Sequence, residues 1–565
     1  MEIKHTTRLI LLSLFVAWCF DQLFWQKPPG ISFFIFFVLC LAGGALVTWW
    51  EGFKPARTSL WLLLQVLFFA AITFIRQEPF TTAISIVIVL GGMMVLALTW
   101  RGGQWLRYSL SDYVMGGLRL ASSALARPVG VLFKKAPPPS TSQAGPVEGE
   151  QSPAALKPSN RKAVYAVLRG LLLALPVIAL LAALLAAADP IFSKALDDFL
   201  KIFRIEKMGE YIFRAIYILI GAYLLTGVYL HAVGPSREEK LIGVEKPWLK
   251  PFLGWTEAVV VLGCVDLLFV FFVAIQFRYF FGGATNINLA GYTYAEYARR
   301  GFGELVAVAV ISLLLFLGLS AITRRSAGRQ RRIFSGLGLG LVALVAAILV
   351  SAFQRLLLYE AAYSFTRLRT YTHVFMVWVG ILLLATVLIE LFGRLRAFAL
   401  TLVLVLVGFA ASLSLLNVDG FIVRENVARA ASASTTTEAA ELDTGYLVGL
   451  SDDAVPALVE QFQSKALSPT LHDDIGAVLA CRAKIAKSNY HSTLWPSYQS
   501  NYRMLARQAS MPWPSYHLAR SHAFTLYAQY STLLAAYPVV MDEESGPEVK
   551  VHGSMRPCQD LQIVD

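Results

Sequence analysis

The sequence predicts an all-α fold: a polytopic helical membrane protein with about eleven transmembrane helices and a C-terminal, mainly helical extramembrane domain. Three observations carry this. Of 565 residues, 56% are hydrophobic and 15% charged, against about a quarter charged in an ordinary soluble domain, and mean hydropathy is +0.59. Eleven runs are apolar and long enough to cross a bilayer core of about 30 Å, which takes roughly 20 helical residues. Lys and Arg fall unevenly between those runs. Disordered, collagenous, coiled-coil and disulfide-scaffold classes are excluded by the same composition.

In order, the spans lie near residues 9–25, 31–50, 59–75, 82–100, 164–188, 210–231, 253–277, 302–322, 333–352, 372–392 and 396–416. The first contains Asp21 and follows Lys4 and Arg8 in the manner of a secretory signal. Trp18, however, stands where cleavage ahead of Cys19 would need a small residue, so this run is read as an uncleaved helix. With the N-terminus cytoplasmic, the inner segments hold 24 Lys and Arg and the outer loops 12, as the positive-inside rule favours. Arg324, Arg325, Arg329, Arg331 and Arg332 crowd one inner loop. Eleven crossings then leave the C-terminal domain on the outer side.

Composition divides the chain further. Residues 1–100 form a four-span module. Residues 101–135 mix Arg101, Arg107, Arg119 and Arg127 with Trp105, Leu110, Val114 and Leu118, which suits a basic amphipathic segment lying in the interface or a loose positive loop that sets topology. Residues 136–160 are Pro/Ser/Gly-rich, a linker too polar to bury a core. Residues 161–417 form a seven-span module, and 418–565 the extramembrane domain. From Asn417 onward there are 11 Lys and Arg against 16 Asp and Glu, and before it 38 against 21. The positive balance is thus a membrane-topology signature that meets anionic lipid, with no nucleic-acid reading module.

Within the seven-span module Pro176 should kink its helix. GLGLGL at 336–341 lacks the strand and the Lys-Ser/Thr of a phosphate loop; Gly336 and Gly340 instead have the spacing that lets helices approach closely. Asp266 sits mid-span, with Gln276 toward the outer end of the same run. A carboxylate at that depth costs on the order of 2.5–3.5 kcal/mol, so it faces a bundle interior or a cavity. It is either a protonated bridge to a neighbouring helix or a coupling site.

Two outer segments carry most of the remaining polar chemistry. Residues 276–305 offer Glu296, Arg299, Arg300 and Glu304; in residues 354–375, Tyr359, Tyr363 and Arg367 share a face if that segment stays helical, with Arg355 one turn before and Glu360 beside the row. The ordinary explanation is the interfacial belt of aromatic and basic residues. The alternative is convergence on an external cavity for an anionic group, which arginine would bind bidentately.

These segments resemble a known family. YFFGG, YAEYARRGF, RLLLYEAAYSFTRLRTY, NVDGFIVREN, LDTGYLVGLSDDAVPAL and PWPSYHLARSHA, in that order, look like the bacterial membrane-protein family catalogued as domain of unknown function 4173, related to family 4153. The likeness runs from about residue 20 to residue 525. It implies a polytopic protein of a bacterial cytoplasmic (inner) membrane and supplies no catalytic residues. Asp266 departs from the family pattern, which more often has an uncharged polar residue there.

In the tail, Ser451 should cap a helix to Phe462, with Asp452 and Asp453 in its first turn; further helices are expected at 471–487, 495–509 and 515–536. Cys481 and Cys558 are placed to pair in an oxidising compartment, or to remain buried thiols, whereas Cys19, Cys40 and Cys264 lie in apolar runs. His472, His491, His517, His522 and His552 are scattered, so neither a metal site nor a cofactor is expected.

The function expected is non-enzymatic: a scaffold, assembly or signalling component that meets lipid through its spans and a protein partner through residues 418–565. Two alternatives stand beside it. One is a transporter or channel using Asp266. The other is an enzyme acting on an envelope or lipid-linked substrate, with Glu296, Glu304 or Glu360 as acid/base and the arginines as anion clamps.

Overall fold

The computed structural model describes residues 5–132, 208–234, 251–281, 302–324, 328–392, 397–433, 442–487, 512–542 and 546–558, with single positions between 181 and 194. Ten described helices are long and apolar enough to cross a membrane. They are α1 (Thr6–Phe24), α2 (Ile31–Glu51), α3 (Arg57–Ile75), α4 (Pro79–Thr99), α6 (Met208–Val233), α7 (Trp255–Phe281), α8 (Phe302–Ile322), α9 (Gly328–Tyr363), α10 (Arg367–Leu391) and α11 (Phe398–Leu416), with α5 (Leu110–Leu132) between α4 and α6. Helix is the form these runs must take, because lipid offers the backbone no hydrogen-bond partners. The polytopic helical class read from composition is the class observed. The expected span at 164–188, Pro176 and the linker at 136–160 lie outside the described residues.

The helices form two groups. In one, α1 packs on α2 and α6, α2 on α3 and α3 on α4, with α5 laid across α4 and α6; in the other, α9 packs on α7, α8 and α10, and α10 on α11. Contact of α11 with α4 joins them. The packing therefore does not follow the linker: α6 belongs with the first four helices. Asp21 supplies a reason. Its carboxylate, buried in α1, pairs with Arg214 and accepts from the Tyr217 hydroxyl, both on α6, and such a charge inside a membrane needs its partner.

Small residues set the closest approaches. A Cβ at Gly227 of α6 would strike the Ala124 backbone of α5, and one at Gly408 of α11 would strike the Trp378 ring of α10. Within GLGLGL the tight contact falls at Gly338, against Phe316 of α8, while Gly336 faces open space and Gly340 faces Asp266. Helix packing is thus the use of that run, with Gly338 in place of Gly336.

The chain does not continue as one helix through 354–375. Helix α9 ends at Tyr363, Ser364 takes a positive φ of 68°, and α10 begins at Arg367. Tyr359, Tyr363 and Arg367 therefore do not form one row.

The tail contains α12 (Val418–Ala433), α13 (Thr444–Val448), α14 (Val455–Phe462), α15 (Pro469–Lys487), α16 (Leu518–Gln529) and α17 (Ser531–Leu534), followed by three strands. Ser451 accepts from the Asp453 N–H at the start of a 3₁₀ turn that leads into α14, as its capping position suggested. The expected helix at 495–509 lies outside the described residues. The strands went unread in the sequence: β1 (Val539–Asp542), β2 (Gly546–Val551) and β3 (Ser554–Pro557) make an antiparallel sheet in the order β1-β2-β3. Their signal is His552-Gly553, both at positive φ (52° and 77°), a two-residue turn whose twist suits a hairpin. Cys481 of α15 and Cys558 after β3 form a disulfide with Cα atoms 5.8 Å apart.

Candidate functional site: a buried polar seam beneath the tail

Alternate ends of the helices lie at one face of the bundle, and the tail sits on that face. Gly30 and Ile31, Arg76 to Glu78, Phe365 to Tyr371, and Asn417 all meet tail residues. The tail's apolar core is continuous with the membrane helices: Phe409 and Leu413 of α11 belong to the cluster that holds Ile422, Leu458 and Val478. The αL geometry of Asn417 (φ 52°) ends α11, and its side chain accepts from the Gly420 N–H and donates to the Asp453 carbonyl. Asparagine tolerates that conformation.

Two aspartates organise the seam. Asp419, fully buried, receives Arg367 Nε and Nη2 at 2.7 and 2.6 Å and the Ser451 N–H at 2.7 Å. The Arg367 N–H in turn donates to the Tyr446 hydroxyl. Burial works against ionisation of Asp419, but Arg367 and Ser451 outweigh it and hold the carboxyl below its usual range. Asp453 Oδ2 accepts from the backbone N–H groups of Gln77 and Glu78 at 2.6 and 3.0 Å, and Arg76 lies 3.6 Å from its other oxygen. Burial, opposed by the Gln77 N–H and Arg76, pushes Asp453 up to about 6.

The turn between α3 and α4 is thereby gripped from the tail. Glu78 caps α4 by accepting from the Phe80 and Thr81 N–H groups and also receives the Tyr371 hydroxyl. Behind the seam, Arg482 donates to the carbonyls of Leu447, Val448, Leu450 and Ser451. Asp452 stands between Arg482 and Arg520, at 3.4 and 3.6 Å. His517 Nε2 lies 3.1 Å from the Arg76 carbonyl; burial, then Arg520, pushes it down to about 4.

The residues singled out from the sequence do not gather here. Gln276 accepts from Ser351 and Arg355. Glu360 is engaged by His373 at 3.0 Å, Arg369 stacks on Tyr359, and Glu304 is exposed. Asp266 Oδ2 lies 3.7 Å from where a Cβ on Gly340 would stand, and its Oδ1 is buried without a hydrogen-bond partner among the described residues. Glu296, Arg299 and Arg300 lie outside the described residues. Of the described members of the outer-face set only Arg367 enters the seam, and it does so as the partner of Asp419 rather than as an anion clamp. Among the described residues no group of three or more His, Cys, Asp or Glu could hold a metal ion.

The seam residues that sequence reasoning missed were legible in one respect. Asp419, Ser451, Asp452, Asp453, His517 and Arg520 come from three of the segments that carry the family resemblance, where charged residues interrupt apolar runs. The family model matching residues 62–461 is described as Domain of unknown function (DUF4153). The chain belongs to this family. The family that matches is 4153, which the sequence reading named beside 4173, in place of 4173 itself; the match takes in the seam's contributions from Arg76 to Asp453 and stops ahead of Arg482, His517 and Arg520. No curated protein and no solved structure matches the chain. The DUF4153 region thus holds most of α3, all of α4 to α11 and the half of the seam that binds the first part of the tail, and it leaves out α1 and α2.

Proposed function

We propose that this DUF4153 protein is a non-enzymatic membrane scaffold or signalling component that holds its tail as a fixed platform for a protein partner. One observation carries the reading: Asp419 and Asp453 tie the tail to three separate helix ends through buried, hydrogen-bonded contacts, so the tail reports on how the bundle is arranged. Buried ionic groups are poor sources of net stability but good sources of specificity when each has its partner. The excess of Lys and Arg on the opposite loops supports an outer placement of the tail. Partly exposed apolar residues on the tail, among them Leu533, Val540 and Met555, are available to a partner.

The test is affinity purification of the tagged full chain from its native membranes in mild detergent, beside an Arg367→Met variant. A stoichiometric protein recovered with the wild type and lost with the variant supports the reading. Recovery of the protein alone in both cases sinks it.

Asp266 favours a second reading, transport. Its buried oxygen without a hydrogen-bond partner among the described residues is what a coupling carboxylate would show, whereas its packing against Gly340 favours a structural role. Asp266→Asn should leave folding intact; loss of a proton-coupled flux in that variant would move the weight to transport.

A further inference from the structure

At the end of the first helix group away from the tail, α2, α4, α5 and α6 enclose a cavity of about 260 Å³. Its walls are apolar, with Leu41, Val47, Met93, Met94 and Leu120 among them. The polar tips that reach it are satisfied within the walls: Trp100 Nε1 donates to Thr48 Oγ1, Thr48 to the Gly44 carbonyl and the Tyr229 hydroxyl to the Cys40 carbonyl. Such a space offers a ligand no hydrogen bond. It suits a hydrocarbon, and it exceeds the apolar cavity of roughly 150 Å³ that admits benzene.

The surroundings say which hydrocarbon. Arg101 follows Trp100 and donates to the Val233 carbonyl, and Arg127 donates to the Leu230 carbonyl. Val233 lines the cavity and Leu230 stands in the same last turn of α6, so two guanidinium groups lie beside the cavity where α6 ends. The cavity's wall helix also faces lipid. Leu110, Val114, Leu118, Leu125 and Val129 are exposed along one stripe of α5, while Gly116 and Ala124 are buried against α4 and α6. An apolar stripe beside arginines is the signature of a helix at the headgroup boundary.

We infer that this cavity is a lipid site that takes one acyl chain of an anionic phospholipid, with Arg101 and Arg127 at its phosphate. The site is independent of the partner-binding reading.

The experiment uses the purified full chain in detergent, titrated with phosphatidylglycerol or with phosphatidylcholine of the same chains and followed by native mass spectrometry. Phosphatidylglycerol should be retained at one per chain, at least tenfold more tightly than phosphatidylcholine. Ala232→Phe, which fills the cavity from its wall, should abolish retention, and Arg101→Gln with Arg127→Gln should remove the headgroup preference. As a measurement free of substitutions, phosphatidylglycerol with a photoreactive acyl chain should label Met93, Met94 or Trp100. Equal retention of the two lipids, or labelling confined to the lipid-facing surface of α7, overturns the proposal.

Discussion

Arg367 and Asp419 meet side-on, Nε to Oδ1 at 2.7 Å and Nη2 to Oδ2 at 2.6 Å. This fork joins the first residue of α10 to the first turn of α12. Bidentate geometry of this kind is the strong form of the charged hydrogen bond, and here one partner is fully buried.

The first prediction follows from that burial. Removing one partner strands the other charge, so Arg367→Met or Asp419→Leu alone should destabilise the docked tail by about 3–5 kcal/mol, whereas the double substitution should recover much of the loss. The rate of tryptic cleavage within the tail, measured on the detergent-purified protein, reads both.

Asp453 offers a second. It is the acceptor for two backbone N–H groups at the α3–α4 turn. Asp453→Ala leaves them buried without a partner at about 1–3 kcal/mol each, and Asp453→Asn, which keeps a carbonyl oxygen, should cost less. Hydrogen exchange of the Gln77 and Glu78 amides should rise in the alanine variant and change little in the asparagine variant. Equal exchange in the two would show that the acceptor is not what holds the turn.

A third concerns pH. The Asp453 carboxyl is raised from 3.8 to about 6 on folding, so its contribution is complete below about pH 4 and is lost as pH climbs through 6. His517 is lowered from 6.5 to about 4, so its contribution is complete above 6.5 and is lost as pH falls toward 4. Between pH 4 and 6 the two therefore oppose each other. Wild-type docking should vary little with pH there, His517→Gln should dock more tightly on acidification from pH 7 to 5, and Asp453→Asn should dock less tightly. Protease protection at each pH measures the three slopes.

The Cys481–Cys558 bond supplies the fourth. It closes a separation of 77 residues, and its removal should cost about 2–5 kcal/mol. With the tail on the outer side, thiols blocked before lysis should leave both cysteines unlabelled by maleimide until reduction. Failure of maleimide to label either cysteine after reduction would show that both were free thiols when blocked and would place the tail in a reducing compartment.

How much was legible in advance varied with the physics behind each feature. Spans such as Ile31–Glu51 and Phe398–Leu416 could be read directly, because a bilayer selects on length and apolarity alone. The capping role of Ser451 was equally local. The hairpin around His552-Gly553 was overlooked for its brevity, and the row from Tyr359 to Arg367 failed because one residue, Ser364, leaves the helical region. Asp452 and Asp453 looked like helix-dipole residues, since nothing in the neighbouring sequence shows that Gln77, some 375 positions away, stands opposite.

The sequence by itself determined the class, the positions of the ten described spans and the kinship with a family of unknown function, all of which rest on composition and short-range pattern. Tertiary structure alone decided the partners: Asp21 with Arg214, Arg367 with Asp419, and Asp453 with the α3–α4 turn. A charge in an apolar run announces that it must be compensated when buried. It does not say by whom, because the compensating group is chosen by which helix ends meet in space.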